Sequence, residues 1–118
     1  MDKLHIEVLP GSGADTRILK LQGPFTLPTI FEFQQKVRET PPRLTLIDLT
    51  DVPYMDSAAV GAIMSLHVSC QREGRKYGLV GASERLQTLF NVAGVDGILL
   101  TYPTIAEAES KAGASAPA

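Results

Sequence analysis

The chain has 118 residues, of which 44% are apolar and 20% charged, and a formal charge of −2. That length supports one domain with a real core. No Lys/Arg cluster exceeds Arg72, Arg75 and Lys76, which argues against direct nucleic-acid binding. The single cysteine, Cys70, excludes an internal disulfide and fits a reducing compartment. With no charged-then-apolar leader and no apolar run near about 18 residues, a cytoplasmic chain without membrane insertion is expected.

Leu4, Ile6 and Val8 alternate with polar residues at the strand period. A loop at Pro10–Asp15 leads to a second strand over Arg17–Gln22, so the two are read as an antiparallel hairpin. Gly23-Pro24 ends it. Thr26 as cap and Pro28 in the first turn open helix one, with Ile30, Phe33 and Val37 as its core stripe. Pro41-Pro42 stops that helix.

Leu44–Leu49 is apolar at four of six positions without alternation, the pattern of a strand covered on both faces. Pro53 breaks it, and a helix from about Ala58 to Arg72 follows, capped by Asp56 or Ser57. Ala59, Ile63, Leu66 and Cys70 form its core stripe, while Val60, Met64 and Val68 form a second one. Small residues Ala58, Ala59, Gly61 and Ala62 lie beside that second stripe. Val60 and Met64 are therefore expected to be partly exposed, at the apolar centre of a partner surface. Tyr77–Val80 is the next strand. Ser83 caps a third helix carrying Leu86, Leu89, Phe90 and Ala93, and Gly94-Val95 reads as its left-handed terminus. Ile98–Tyr102 is the last strand, and Thr104-Ile105-Ala106-Glu107 is a capping box opening a final helix. The order implies an α/β domain over residues 1–112, with a mixed, mainly parallel sheet of about five strands and about four helices. Residues 113–118 read as a disordered tail with nothing to bury.

The chemistry centres on Asp56 and Ser57. A serine hydroxyl after a strand, at the positive end of a helix dipole, suits an anion. A helix cap is its plainer role. Ser57 as a nucleophile lacks a base, since His67 lies along the same helix at about 15 Å. Asp56 is read as a cap that also holds its loop through backbone N–H groups. Asp48 and Asp51 flank the loop, but Asp48 lies within a strand and no phosphate-cradling loop accompanies them, so no metal and no cofactor are expected.

Met55-Asp56-Ser57-Ala58-Ala59-Val60-Gly61 resembles the Asp-Ser-Ser/Thr-Gly-Leu-Gly signature of STAS domains, the anti-sigma factor antagonists of bacteria. Gly23, the strand before the motif, Gly81-Ala82-Ser83 and Val92-Ala93-Gly94-Val95 also fall where that family has them. The chain departs from the family at Ala59, where the family has glycine, and at Thr26, where it usually has aspartate. The resemblance implies a non-enzymatic binding module whose Ser57 is phosphorylated. Its implied partners are an anti-sigma factor with serine kinase activity, bound when Ser57 is unmodified, and a phosphatase that resets phospho-Ser57. Ala58, Val60, Gly61 and Met64 are the implied partner-binding residues, with Asp56 as the motif carboxylate. A non-phosphorylated STAS accessory subunit of a membrane lipid-transport complex is the alternative. A small hydrolase or nucleotide binder using Asp56 and Ser57 comes third.

Overall fold

The structure is a computed structural model that describes residues 3–13 and 15–114. Five strands lie side by side in chain order: β1 (His5–Pro10), β2 (Thr16–Gln22), β3 (Leu44–Asp51), β4 (Lys76–Val80) and β5 (Thr101–Tyr102). Only β1 with β2 is antiparallel, and every other neighbouring pair is parallel. The helices are α1 (Ile30–Arg38), α2 (Ser57–Glu73), α3 (Glu84–Val92) and α4 (Ile105–Ala114), with a 3₁₀ turn over Leu27–Thr29 before α1.

The central strand explains the layering. Leu44 and Leu46 face a small cluster with Val80 and the α4 alanines Ala108 and Ala112. Ile47 and Leu49 face the main core, with Phe33 of α1, Ile63 and Leu66 of α2, and Leu86 and Phe90 of α3. An apolar run without alternation is what a strand sandwiched between helical layers requires. α4 therefore covers one face and the other three helices cover the opposite face.

The helix ends follow local chemistry. Ser83 Oγ accepts from Leu86 N at 3.3 Å, and Thr104 Oγ1 from Glu107 N at 3.1 Å. Gly94 adopts φ 75°, and Val95 N donates to Phe90 O at 3.0 Å, closing the left-handed terminus of α3. At the sheet's carboxyl end, Gly23 has φ 107°, and a Cβ there would collide with the Lys3 carbonyl.

Five expectations are corrected. The last strand is only Thr101–Tyr102, because Ile98 N and Leu99 N both bond to Val95 O at 2.9 and 3.0 Å and wind that stretch into a turn. Ala93 is exposed at the end of α3 and packs in no core. Val60 is buried at 6% exposure, whereas Met64 is half-buried and Val68 exposed, so of the second stripe of α2 only Val60 belongs to the core. The first helical residue of α2 is Ser57, so the cap is Asp56 alone. α4 continues to Ala114, past the expected start of the tail, and residues 115–118 lie outside the described residues.

Candidate functional site

The site forms where the loop after β2 meets the loop after β3. Phe25 and Met55 pair as a parallel bridge beyond the ends of the two strands. Phe25 N donates to Tyr54 O at 3.1 Å, and Asp56 N donates to Phe25 O at 3.3 Å. Phe25 is fully buried and Met55 nearly so, anchoring both loops in the core.

Asp56 joins these loops to α2. One carboxylate oxygen accepts from Ala59 N at 3.0 Å, and the other from Leu27 N at 2.9 Å. Its backbone carbonyl accepts from Val60 N at 3.2 Å. The side chain thus satisfies one otherwise orphaned N–H of the first turn, that of Ala59, while the carbonyl takes the first ordinary helical bond. The same side chain fixes the start of the 3₁₀ turn before α1. Both carboxylate oxygens are committed to backbone donors, which is positioning work.

Ser57 is thereby relieved of capping. It is exposed at the first position of α2, and its hydroxyl bonds to none of the described residues. The Ser57 and Ala58 N–H groups also have no partner among them, and the first turn holds no acidic residue. A negative group on Ser57 would sit at the positive end of a 17-residue helix, beside two free donors.

Around it, Ala58 is half-buried, Gly61 exposed and Met64 half-buried, packed against the main core. A Cβ on Gly61 would meet nothing within 4 Å. Ala59 is completely buried, so its methyl group faces the core and does not obstruct an approach to Ser57. Thr26 caps the 3₁₀ turn through its backbone, with Thr26 N donating to Thr29 Oγ1 at 3.0 Å.

The larger apolar surface lies on residues that the sequence pattern did not single out. Leu27 and Phe31 are 63% and 66% exposed, four residues apart on one helical face. Tyr54 is exposed on the other side of Asp56 and forms one wall of a 430 Å³ groove along α3, with Leu89 and the exposed Val92. The sequence held one signal for Phe31: it falls off the Ile30-Phe33-Val37 stripe, yet is large and aromatic.

The other candidates disperse. Asp48 accepts from Thr50 N and Thr50 Oγ1 at 3.0 and 2.6 Å, and Asp51 pairs with Lys20 at 3.9 Å. Among the described residues no group of three metal-ligating side chains assembles. His67 bonds Tyr77 through Nδ1 at 2.7 Å, well away from Ser57.

The STAS domain family pattern matches residues 7–108, nearly the whole described chain. The chain belongs to the STAS domain family. The chain is similar to the anti-sigma-B factor antagonist of Listeria monocytogenes, 31% identical over 83% of this chain and 79% of that protein. A TM1081 homologue of Thermotoga neapolitana, named among the anti-sigma factor antagonists, is 33% identical over 53% of this chain, which spans only 56% of that relative's length. The fold matches the anti-sigma factor antagonist SpoIIAA in its unphosphorylated form, with TM-score 0.75, 12% identity, and coverage of 92% of this chain and 97% of that one. The phosphorylated form of SpoIIAA also shares this fold, with TM-score 0.69. No helix among the described residues is long and apolar enough to cross a membrane.

Proposed function

We propose that this STAS domain is an anti-sigma factor antagonist, a non-enzymatic binding module switched by phosphorylation of Ser57. One observation carries the reading: Asp56 does the capping, leaving an exposed serine hydroxyl at the start of α2 that bonds to none of the described residues. The relatives' names supply the partner class, an anti-sigma factor. In this reading the partner is also the serine kinase, a phosphatase resets Ser57, and the module works in the bacterial cytoplasm beside the transcription machinery.

The switch follows from electrostatics. Phosphorylation adds about −1.5 to −2 charge. In the free chain, the helix dipole and the Ser57 and Ala58 N–H groups stabilise that charge. Within an interface it loses water without gaining a counter-charge, so binding weakens. The partner surface comprises Ala58, Gly61 and the exposed edge of Met64, flanked by Leu27 and Phe31 on one side and Tyr54 on the other. Val60 supports it from beneath.

Incubation with an anti-sigma factor that has serine kinase activity and labelled ATP tests the reading. The expected result is one phosphate per chain, mapped to Ser57 by mass spectrometry and absent from Ser57→Ala. Labelling at another residue with equal stoichiometry in Ser57→Ala overturns it.

A further inference from the structure

The apolar interior divides between the two faces of the sheet, and the smaller share lies under one helix. α4 presents Ile105, Ala108 and Ala112 to Leu44 and Leu46 of β3 and Val80 of β4, with Ile18 and Tyr102 at the margin. The opposite layer has its own core, built on Phe33, Ile63, Leu66, Leu86 and Phe90, and that core includes no residue of α4. Alanine methyls bury far less apolar area than those side chains, so little apolar burial holds α4 down. The helix follows β5 through the short link Pro103-Thr104.

One polar clasp adds to that contact. Glu109 Oε2 accepts from Ser12 N at 2.7 Å and from Ser12 Oγ at 2.8 Å, tying α4 to the loop between β1 and β2. Hydrogen bonds to an ionised carboxylate are the stronger class. The Ser12 hydroxyl, joined by the Ser12 and Gly13 N–H groups and acting against desolvation, holds the Glu109 carboxyl below the usual carboxylate range. Glu107 and Lys111 pair with each other at 3.8 Å, within the helix. Among the described residues, Glu109 is the one α4 side chain that bonds to another element.

We propose that α4 is a hinged lid on the sheet, with Pro103-Thr104 as its hinge and the Glu109–Ser12 clasp as its catch. It opens without unfolding the rest of the chain and bares the apolar strip of Leu44, Leu46 and Val80. The opposite core keeps β3 and β4 paired and holds α2, with Ser57, in place. Segments with few buried apolar contacts are the ones that open at a lower free energy than the whole fold.

Native-state hydrogen exchange of the isotope-labelled full chain, over a series of urea concentrations below the unfolding transition, tests this. The Ala108–Ala112 amides should be at least about a hundredfold less protected than those of Ile47 and Ile63, with a shallower urea dependence because less surface is exposed. Glu109→Ala should speed exchange of the α4 amides at least about tenfold, although alanine's helix propensity alone would slow it. Ile63→Val, which thins the opposite core, should speed Ile47 severalfold and leave the α4 amides within about twofold of the parent, since the lid opens while that core stays closed. Equal protection of α4 and Ile47 with the same urea dependence, α4 amides that speed up with Ile47 in Ile63→Val, or α4 amides unchanged in Glu109→Ala overturns the inference.

Discussion

Asp56→Ala removes two hydrogen bonds that hold different elements. The bond to Ala59 N caps α2, and loss of such a cap costs about 0.5–2 kcal/mol. The bond to Leu27 N, part of the junction with the 3₁₀ turn, contributes about 1.5 kcal/mol, the low end for a hydrogen bond to a charged acceptor. The Leu27 N–H lies at an exposed residue, so water takes up part of that loss. The expected total is about 2 kcal/mol, or a fall in Tm of roughly 8 °C for a domain of this size. Asp56→Asn should cost about half as much, because its amide oxygen still accepts from Ala59 N while its NH₂ faces the Leu27 donor. Urea unfolding of the three chains measures the totals. Native-state hydrogen exchange locates them, with Leu27 and Ala59 amides speeding up together in Asp56→Ala. A loss below about 0.5 kcal/mol, within the scatter of surface substitutions, or exchange changing at Ala59 alone, would refute Asp56 as the link between the two loops.

Ser57→Ala should leave stability within about 0.5 kcal/mol of the parent in the same urea series, since the hydroxyl makes no bond among the described residues. Val60→Glu should destabilise by more than about 3 kcal/mol through an unpaired buried charge, and calorimetry that finds it neutral would mean the residue is surface. Gly61→Ala should raise stability by about 0.8–1 kcal/mol, because a helix-interior glycine gains propensity with open space around the new methyl. Phe31→Ser should fold normally and weaken anti-sigma factor binding at least tenfold, about 1.4 kcal/mol, by a binding titration. Burial pushes the Tyr77 phenol up to about 12, overriding the Leu100 N–H bond that favours phenolate. Its folded pKa thus exceeds the unfolded value near 10.0, so its share of stability is complete below pH about 10 and is lost as pH rises towards 12. Denaturation midpoints across that window should fall in the parent chain and fall less in Tyr77→Phe.

Strand and helix periods showed where most elements lie because those periods come from which faces are buried. The unalternating Leu44–Leu49 run announced a strand between two layers, and α4 on one face with three helices on the other supplies them. β5 escaped because Ile98–Tyr102 has strand-like composition while a turn at Val95 takes up its first amides. The Asp56-Ser57 pair was legible as a helix start. Which of the two caps was not, since both side chains suit that position and only the backbone geometry decides. The exposure of Val60 was misjudged for a similar reason. The stripe that a helix buries depends on how many neighbours surround it, and α2 lies close against α1 and β4. The loops that carry Leu27 and Tyr54 are joined by the Phe25–Met55 bridge, a contact between residues thirty apart that no local pattern encodes.

The central claim is that a phosphate on Ser57 separates this chain from its partner without unfolding it. Titrating the cognate anti-sigma factor with the unmodified chain and with a homogeneous phospho-Ser57 chain, each checked for an unchanged Tm, measures it directly. The account predicts at least about a hundredfold weaker binding of the phosphorylated form, roughly 2.7 kcal/mol. Equal affinity of the two forms at the same Tm would contradict it.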